Sequence, residues 1–176
     1  AHEFGVIDVL INNAGVFFDH PIESSSYEKW QQAWADTLGV NLIGAANVTW
    51  CALQHMPKNS TSRIVNIGSR GAFRGEPVSP AYGASKAAIV AFGQSIAKAL
   101  ALMKIGVTTL APGFVETDMT AELDEKRRSE IAAQVPVGRF CSAQEIADVV
   151  TFIASAKASY ITGAIIPVDG GLGMGH

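Results

Sequence analysis

The sequence predicts an α/β fold, a Rossmann-type parallel sheet with helices on both faces, built as a single domain over residues 1–176. Three observations predict it. Short β-branched runs alternate with longer helical patterns along the whole chain. The runs are apolar at consecutive positions rather than at every second one, the pattern of strands buried on both faces. Each run also ends in small or turn-forming residues, which let backbone approach a ligand where parallel strands terminate.

The elements follow in order. Val6 to Asn12 (VIDVLIN) reads as a strand that runs into the turn Asn12-Asn13-Ala14-Gly15. Ser25 with Glu28 three residues on has the form of a capping box, opening a long helix over Ser26–Met56. On that helix Trp30, Trp34, Leu38, Ala45, Val48 and Ala52 form an apolar stripe with Asn41 in its middle. Arg63 to Ile67 (RIVNI) is the second strand, closed by Gly68-Ser69, and a polar Gly/Pro-rich loop runs from Arg70 to Pro80. A second long helix, Ala81–Met103, is rich in small residues; its end near Lys104 lacks the usual glycine, which leaves the boundary open. Val107 to Ala111 is a third strand, stopped by Pro112-Gly113. Helical patterns follow at Ala121–Ala133 and Ala143–Ala154, the latter opened by a second capping pattern, Ser142 with Glu145, before the last strand, Ala164 to Val168.

Composition narrows the function classes. A chain of 176 residues is ample for one domain and short for two. Its 48% apolar content implies a large core or helix faces buried against other subunits. A net charge of -3 argues against a nucleic-acid partner. No run has the apolar length expected of a membrane span, and Ala1-His2-Glu3-Phe4-Gly5 lacks the form of a signal peptide. Cys51 and Cys141 have no CxxC spacing and read as buried free thiols of a cytoplasmic protein. His2, His20, His55 and His176 are scattered, so no metal site is expected.

Chemistry concentrates at a few positions. Tyr82 and Lys86 lie four residues apart near a helix start, hence on one face, and a neighbouring cation is expected to lower the tyrosine pKa toward a usable acid/base. Alone, such a pair arises by chance roughly one time in six in a chain with three tyrosines. Ser69, at a strand end, is placed to hydrogen-bond a substrate carbonyl oxygen, though by itself it reads equally as a loop serine. Asn41 must find partners inside its apolar stripe or incur roughly 1–3 kcal/mol of desolvation cost. A satisfied core asparagine and a functional one both fit.

Taken together, Asn12-Asn13-Ala14-Gly15, Asn41, Ser69 thirteen residues before the tyrosine, Tyr82-x-x-x-Lys86 and Pro112-Gly113 resemble the successive signatures of the short-chain dehydrogenase/reductases. The resemblance covers essentially the whole chain, in family order and spacing. Within that family, Ala111 to Thr120 (APGFVETDMT), Gln134 to Arg139 (QVPVGR), Gln144 to Ala147 (QEIA), Tyr160 to Gly163 (YITG) and Val168 to Gly171 (VDGG) are most similar to the 3-oxoacyl-[acyl-carrier-protein] reductases of fatty-acid synthesis. Members acting on sugars, alcohols and steroids share many of these stretches.

The resemblance implies a set of roles. Tyr82 would protonate the substrate carbonyl oxygen, Lys86 would hold the nicotinamide ribose and depress the Tyr82 pKa, Ser69 would orient the carbonyl, and Asn41 would anchor a water in the proton relay to Lys86. Asn12, Asn13, Ala14 and Gly15 would line the adenosine side of the cofactor. Pro112, Gly113, Val115 and Thr117 would contact its nicotinamide end, and the segment after Thr117 would act as a lid. The implied cofactor is NADP or NAD, with NADPH favoured by the subgroup. The implied substrate is a small or acyl-carrier-protein-bound carbonyl compound, and the implied assembly is a homodimer or homotetramer through the two long helices, with Trp50, Phe92 and Ile96 as candidate contacts. An acidic carrier protein would meet basic residues, for which Lys98, Lys104, Arg70 and Arg74 are candidates.

One departure from the family pattern stands out. The family's opening strand, Thr-Gly-x-x-x-Gly-x-Gly phosphate turn and helix have no counterpart. Gly171-Leu-Gly173-Met-Gly175 has no helix after it and cannot act as a pyrophosphate loop. This leaves a truncated or cleaved protein, an incomplete record of a longer chain, or a divergent short product. The Val6–Asn12 strand is then expected to present an exposed apolar edge, and the 176-residue chain alone to bind neither cofactor. A catalytically silent fragment that only oligomerises is the rival reading.

Overall fold

Four strands, β1 (Val9–Asn12), β2 (Arg63–Ile67), β3 (Gly106–Pro112) and β4 (Ile165–Val168), pair in parallel in the order β1-β2-β3-β4. They come from a computed structural model that describes residues 3, 5–121 and 123–173, without the Met119 side chain. Ala1, His2, Phe4 and the tail positions Met174, Gly175 and His176, all named above, lie outside the described residues, as does Glu122 within the Ala121–Ala133 pattern.

Consecutive residues of the central strands face opposite sides, so each strand feeds two cores. Ile64 and Val107 pack with Ala52, Met56, Ala97 and Leu100 on one side. Val65 and Leu110 pack with Ile153 and Ala158 on the other. The continuous apolar runs therefore mark a sheet covered on both faces, as the sequence predicts.

The first long helix is not continuous. It comprises α1 (Tyr27–Leu38), a π-helical stretch (Gly39–Gly44) and α2 (Ala45–Leu53). Its N-cap is Ser26, whose side chain accepts from the Lys29 N–H, so the expected Ser25–Glu28 capping box does not form. The wider π turn rotates the following residues relative to an uninterrupted helix. As a result Val48, expected in the buried stripe, is 51% exposed, and Cys51, expected to be buried, is exposed as well. Cys141, also expected to be buried, is half-buried. The second long helix is α3 (Pro80–Leu100), extended by a 3-10 turn at Ala101–Met103. Lys104 then adopts the left-handed conformation (φ 61°) that a glycine usually supplies at a helix end. By length and composition Pro80–Met103 is apolar enough to cross a membrane, contrary to the sequence expectation. Its alanines raise the average, and its apolar face, including Ile89, Ala97 and Leu100, is buried on the sheet.

The Ala121–Ala133 pattern resolves into two short helices, α4 (Asp118–Ala121) and α5 (Glu125–Ala132), the second capped by Asp124. The last helix, α6 (Ala143–Ala154), has its capping box complete: Ser142 accepts from the Glu145 N–H, and Glu145 accepts from the Ser142 N–H at 2.8 Å. β1 is shorter than expected, because the Ile7 N–H turns away to the His55 carbonyl. Its residues Val9 and Ile11, on the α6 side of the sheet, are 37% and 44% exposed, matching the expected apolar edge.

Candidate active site

The ends of β1, β2 and β3 and the first turns of α3 bring the candidate residues together. Pro80 opens α3 with a fixed φ and no N–H to satisfy. Four residues of helix then place Lys86 one turn beyond Tyr82 on the face toward the sheet. Lys86 is buried, and its Nζ donates to the Ile67 carbonyl at the end of β2 at 2.9 Å. Burial lowers its pKa to about 8. Its Nζ lies 5.7 Å from the Tyr82 ring centroid.

Tyr82 behaves differently from the sequence expectation. Its pKa is raised rather than lowered: burial is the largest cause, hydrogen bonding with the Ser69 hydroxyl opposes it, and the Glu76 carboxylate adds to it. Desolvation penalises the phenolate, while the Lys86 ammonium is anchored on the Ile67 carbonyl. The phenol is thus held protonated. Its ring meets Phe17 edge-on at 5.0 Å. Ser69 leaves β2 in an extended conformation, and its Oγ accepts from the Gly71 N–H at 3.0 Å.

Asn41 is buried in the π stretch and fully partnered. Its Oδ1 accepts from the Val16 N–H at 2.8 Å, while its Nδ2 donates to the Val16 carbonyl and to Ser85 Oγ, each at 3.0 Å. The side chain therefore clamps the chain just past the β1 turn and ties it to α3. Asn12 also points inward. Its Nδ2 donates to Thr49 Oγ1 at 3.0 Å and Asn66 Oδ1 at 2.8 Å, linking β1 to α2 and β2. By contrast Asn13, Ala14 and Gly15 are exposed. A Cβ on Gly15 would lie 3.4 Å from Lys86 Nζ and 3.6 Å from Asn41 Oδ1, so glycine keeps the space beside the ammonium clear.

Pro112 ends β3 beside Val168, and Gly113 donates to the Val168 carbonyl at 3.1 Å. A Cβ on Gly113 would approach Asp169 Cα to 2.9 Å, so packing against the β4 end already requires glycine there. Val115 bridges in parallel to Cys141, and its carbonyl accepts from Thr120 Oγ1 at 2.8 Å. No hydrogen bond is made by its N–H among the described residues. Thr117 is exposed and its carbonyl accepts from Thr120 and Ala121, starting α4. Two cavities, of about 370 and 230 Å³, lie nearby, and neither is lined by Ser69, Tyr82 or Lys86. Chemistry rather than concavity identifies this site.

One residue of the neighbourhood escaped the sequence reading. His20, one of the scattered histidines, is fully buried between the β1 loop and the start of α3. Its Nε2 accepts from the Ala81 N–H at 3.1 Å, so the ring proton sits on Nδ1, which donates to the Phe18 carbonyl at 2.7 Å. Its ring packs edge-on against Trp30 at 5.5 Å. Nothing in the local sequence marks a contact spanning 61 residues.

Comparison with known proteins agrees with this geometry. A family model described as enoyl-(acyl carrier protein) reductase matches residues 1–173. The 3-oxoacyl-[acyl-carrier-protein] reductase FabG of Thermotoga maritima is 41% identical over 170 residues, covering 97% of this chain and 68% of that protein. A short-chain dehydrogenase/reductase of Brucella melitensis, described as a glucose/ribitol dehydrogenase, superposes with a TM-score of 0.89 at 35% identity, over 98% of this chain and 68% of that one. A blue fluorescent protein from a metagenomic library, solved in complex with NADPH, superposes at 0.85 with 31% identity, over 96% of this chain and 66% of that one. The chain thus spans about two thirds of the length of these relatives. With the parallel sheet and the Ser69–Tyr82–Lys86 cluster, these similarities establish that the chain belongs to the short-chain dehydrogenase/reductase family of oxidoreductases.

Proposed function

We propose that the protein reduces a ketone to a secondary alcohol with a nicotinamide cofactor, that its substrate is a 3-oxoacyl thioester of cytoplasmic fatty-acid synthesis, and that NADPH is the reductant. The observation that carries the reading is the half-buried Tyr82 phenol beside the Ser69 hydroxyl, with the Lys86 ammonium on the same helix face 5.7 Å from its ring centroid. A protonated phenol is what reduction requires, because the product oxygen must receive a proton. The 41% identity to a 3-oxoacyl-[acyl-carrier-protein] reductase supports the substrate class, and the NADPH held by a solved relative supports the cofactor.

The residues present fit such a cofactor. Lys86 uses one of its three N–H donors on Ile67, and glycine at position 15 leaves room beside the ammonium for ribose hydroxyls. The exposed turn at Asn13, Ala14 and Gly15 would border the adenosine side, with Asn12 securing that turn from behind. The Val115 N–H, with Pro112, Gly113 and Thr117 around it, would face the carboxamide end. When bound, the nicotinamide supplies the hydride to the carbonyl carbon. Ser69 orients the carbonyl oxygen, and Tyr82 gives that oxygen its proton. Lys86 stabilises the phenolate left behind, and Asn41 holds the segment through which a water restores the proton.

The test is direct. Full-length protein, carrying a phosphate-binding segment upstream of this chain, should oxidise NADPH or NADH with a short 3-oxoacyl thioester, and Tyr82→Phe should lower the rate at least about a thousandfold. Undiminished turnover by that variant would remove Tyr82 as the acid. The Brucella melitensis likeness favours a second reading, a sugar or polyol substrate; a higher kcat/KM for such compounds than for the thioester would select it.

The assembly is read as a homodimer or homotetramer through the outer faces of α1 to α3. Ile43 (53% exposed) and Trp50 (66%), on the π stretch and α2, support this as large exposed apolar side chains. Ile96 is half-buried and packs against the core cluster, which accounts for it without an interface.

A further inference from the structure

We infer that His20 is a positioning residue for Tyr82, coupling the cofactor-side turn to the catalytic helix; this rests on Tyr82 being the acid. Helix α3 begins with an unusual deficit. Its N-cap residue, Ser79, makes no side-chain cap, and the buried Ser79 Oγ has no partner among the described residues. Pro80 has no N–H, so Ala81 carries the first amide of the helix that needs an acceptor. His20 Nε2 supplies it at 3.1 Å, from a segment 61 residues upstream. The next amide, that of Tyr82, donates to the Ser79 carbonyl at 3.0 Å. The acid is therefore one residue away from the histidine contact.

The other side of the imidazole faces the β1 loop. Nδ1 donates to the Phe18 carbonyl at 2.7 Å, and the His20 N–H donates to the Val78 carbonyl at 2.8 Å. Phe17, between these anchors and the Asn41-clamped Val16, lies edge-on against the Tyr82 ring. Residues 16–20 thus form a strap, fixed at one end by Asn41 and at the other by His20, with the phenol ring bearing on its middle. The exposed turn at residues 13–15 leads directly into that strap. A histidine is suited to the far anchor because its two ring nitrogens, one donating and one accepting, satisfy two chain segments at once.

The role is tested by assaying His20→Leu, His20→Gln and Tyr82→Phe in the full-length protein alongside the wild type. Circular dichroism would monitor folding, and amide hydrogen exchange would be followed over residues 79–86. A displaced acid costs turnover steeply. His20→Leu should lower kcat at least about tenfold with both KM values within about twofold, and should speed exchange at Ala81. His20→Gln, whose amide can accept from Ala81, should recover kcat to within about threefold of wild type. Full activity in folded His20→Leu overturns the proposal, as does a folded His20→Gln no better than His20→Leu. If His20→Leu does not fold, His20→Gln decides alone: near-wild-type kcat with protected Ala81 exchange supports the role, and lost kcat or exposed Ala81 refutes it. Activity in Tyr82→Phe would instead strike at the underlying assignment of the acid, while exchange at Ala81 would still report the histidine contact.

Discussion

Lys86 shows how one side chain can carry both a cost and a function. Burial lowers its pKa from 10.5 to about 8, so the folded protein releases this proton well before the unfolded chain does. Between those two values the unfolded state binds more protons, and stability rises with pH. Relative to Lys86→Met, the wild type should gain on the order of 1–3 kcal/mol across that window, read from denaturant unfolding at several pH values. Parallel curves for the two proteins would show that the ammonium is not desolvated. The reduction rate should decline above about pH 8 as the ammonium is lost. The Tyr82 phenol, raised above its ordinary 10.0, adds its own limb only at higher pH. A Lys86→Arg variant, charged throughout, should lack the earlier limb.

At the level of elements, the site depends on how closely α3 lies on β3. Gly93 makes this possible: a Cβ there would meet Thr109 Oγ1 at 2.6 Å and Asn66 Nδ2 at 3.0 Å. Gly93→Ala should therefore cost about 1–3 kcal/mol through overpacking, measured by chemical denaturation, and should lower kcat by lifting Tyr82 and Lys86 from the strand ends. A neutral substitution would mean that the helix adjusts without moving the site. The pairing Ser142 with Glu145 was legible because a capping box is local and its residues are three apart. The similar pattern Ser25 with Glu28 misled by one residue: only Ser25 has a glutamate three positions on, yet Ser26 caps α1 by accepting from the Lys29 N–H, and no reciprocal bond forms.

Across the whole molecule, the parallel sheet buries its central strands on both sides and leaves β1 half covered, with Val9 and Ile11 exposed. A second apolar surface runs along the π stretch and α2 through Ile43 and Trp50. If copies of the chain associate there, the double substitution Ile43→Glu with Trp50→Glu should move the protein to a smaller species in size-exclusion chromatography with light scattering, leaving its circular dichroism unchanged. An unchanged mass would place the interface elsewhere.

Strand periodicity, helix signals and the spacing of Ser69, Tyr82 and Lys86 were readable from the sequence because each depends on residues close together along the chain. The sequence alone therefore determined the fold class and pointed to the residues proposed as the acid/base set. What only the tertiary structure decided depends on distant segments meeting. Burial and Glu76 raise the Tyr82 pKa although a lysine stands four residues away. Asn41 and Asn12 spend their amides on the chain itself, and His20 caps a helix 61 residues further on. Desolvation and long-range hydrogen bonds arise from packing, and packing has no local signature.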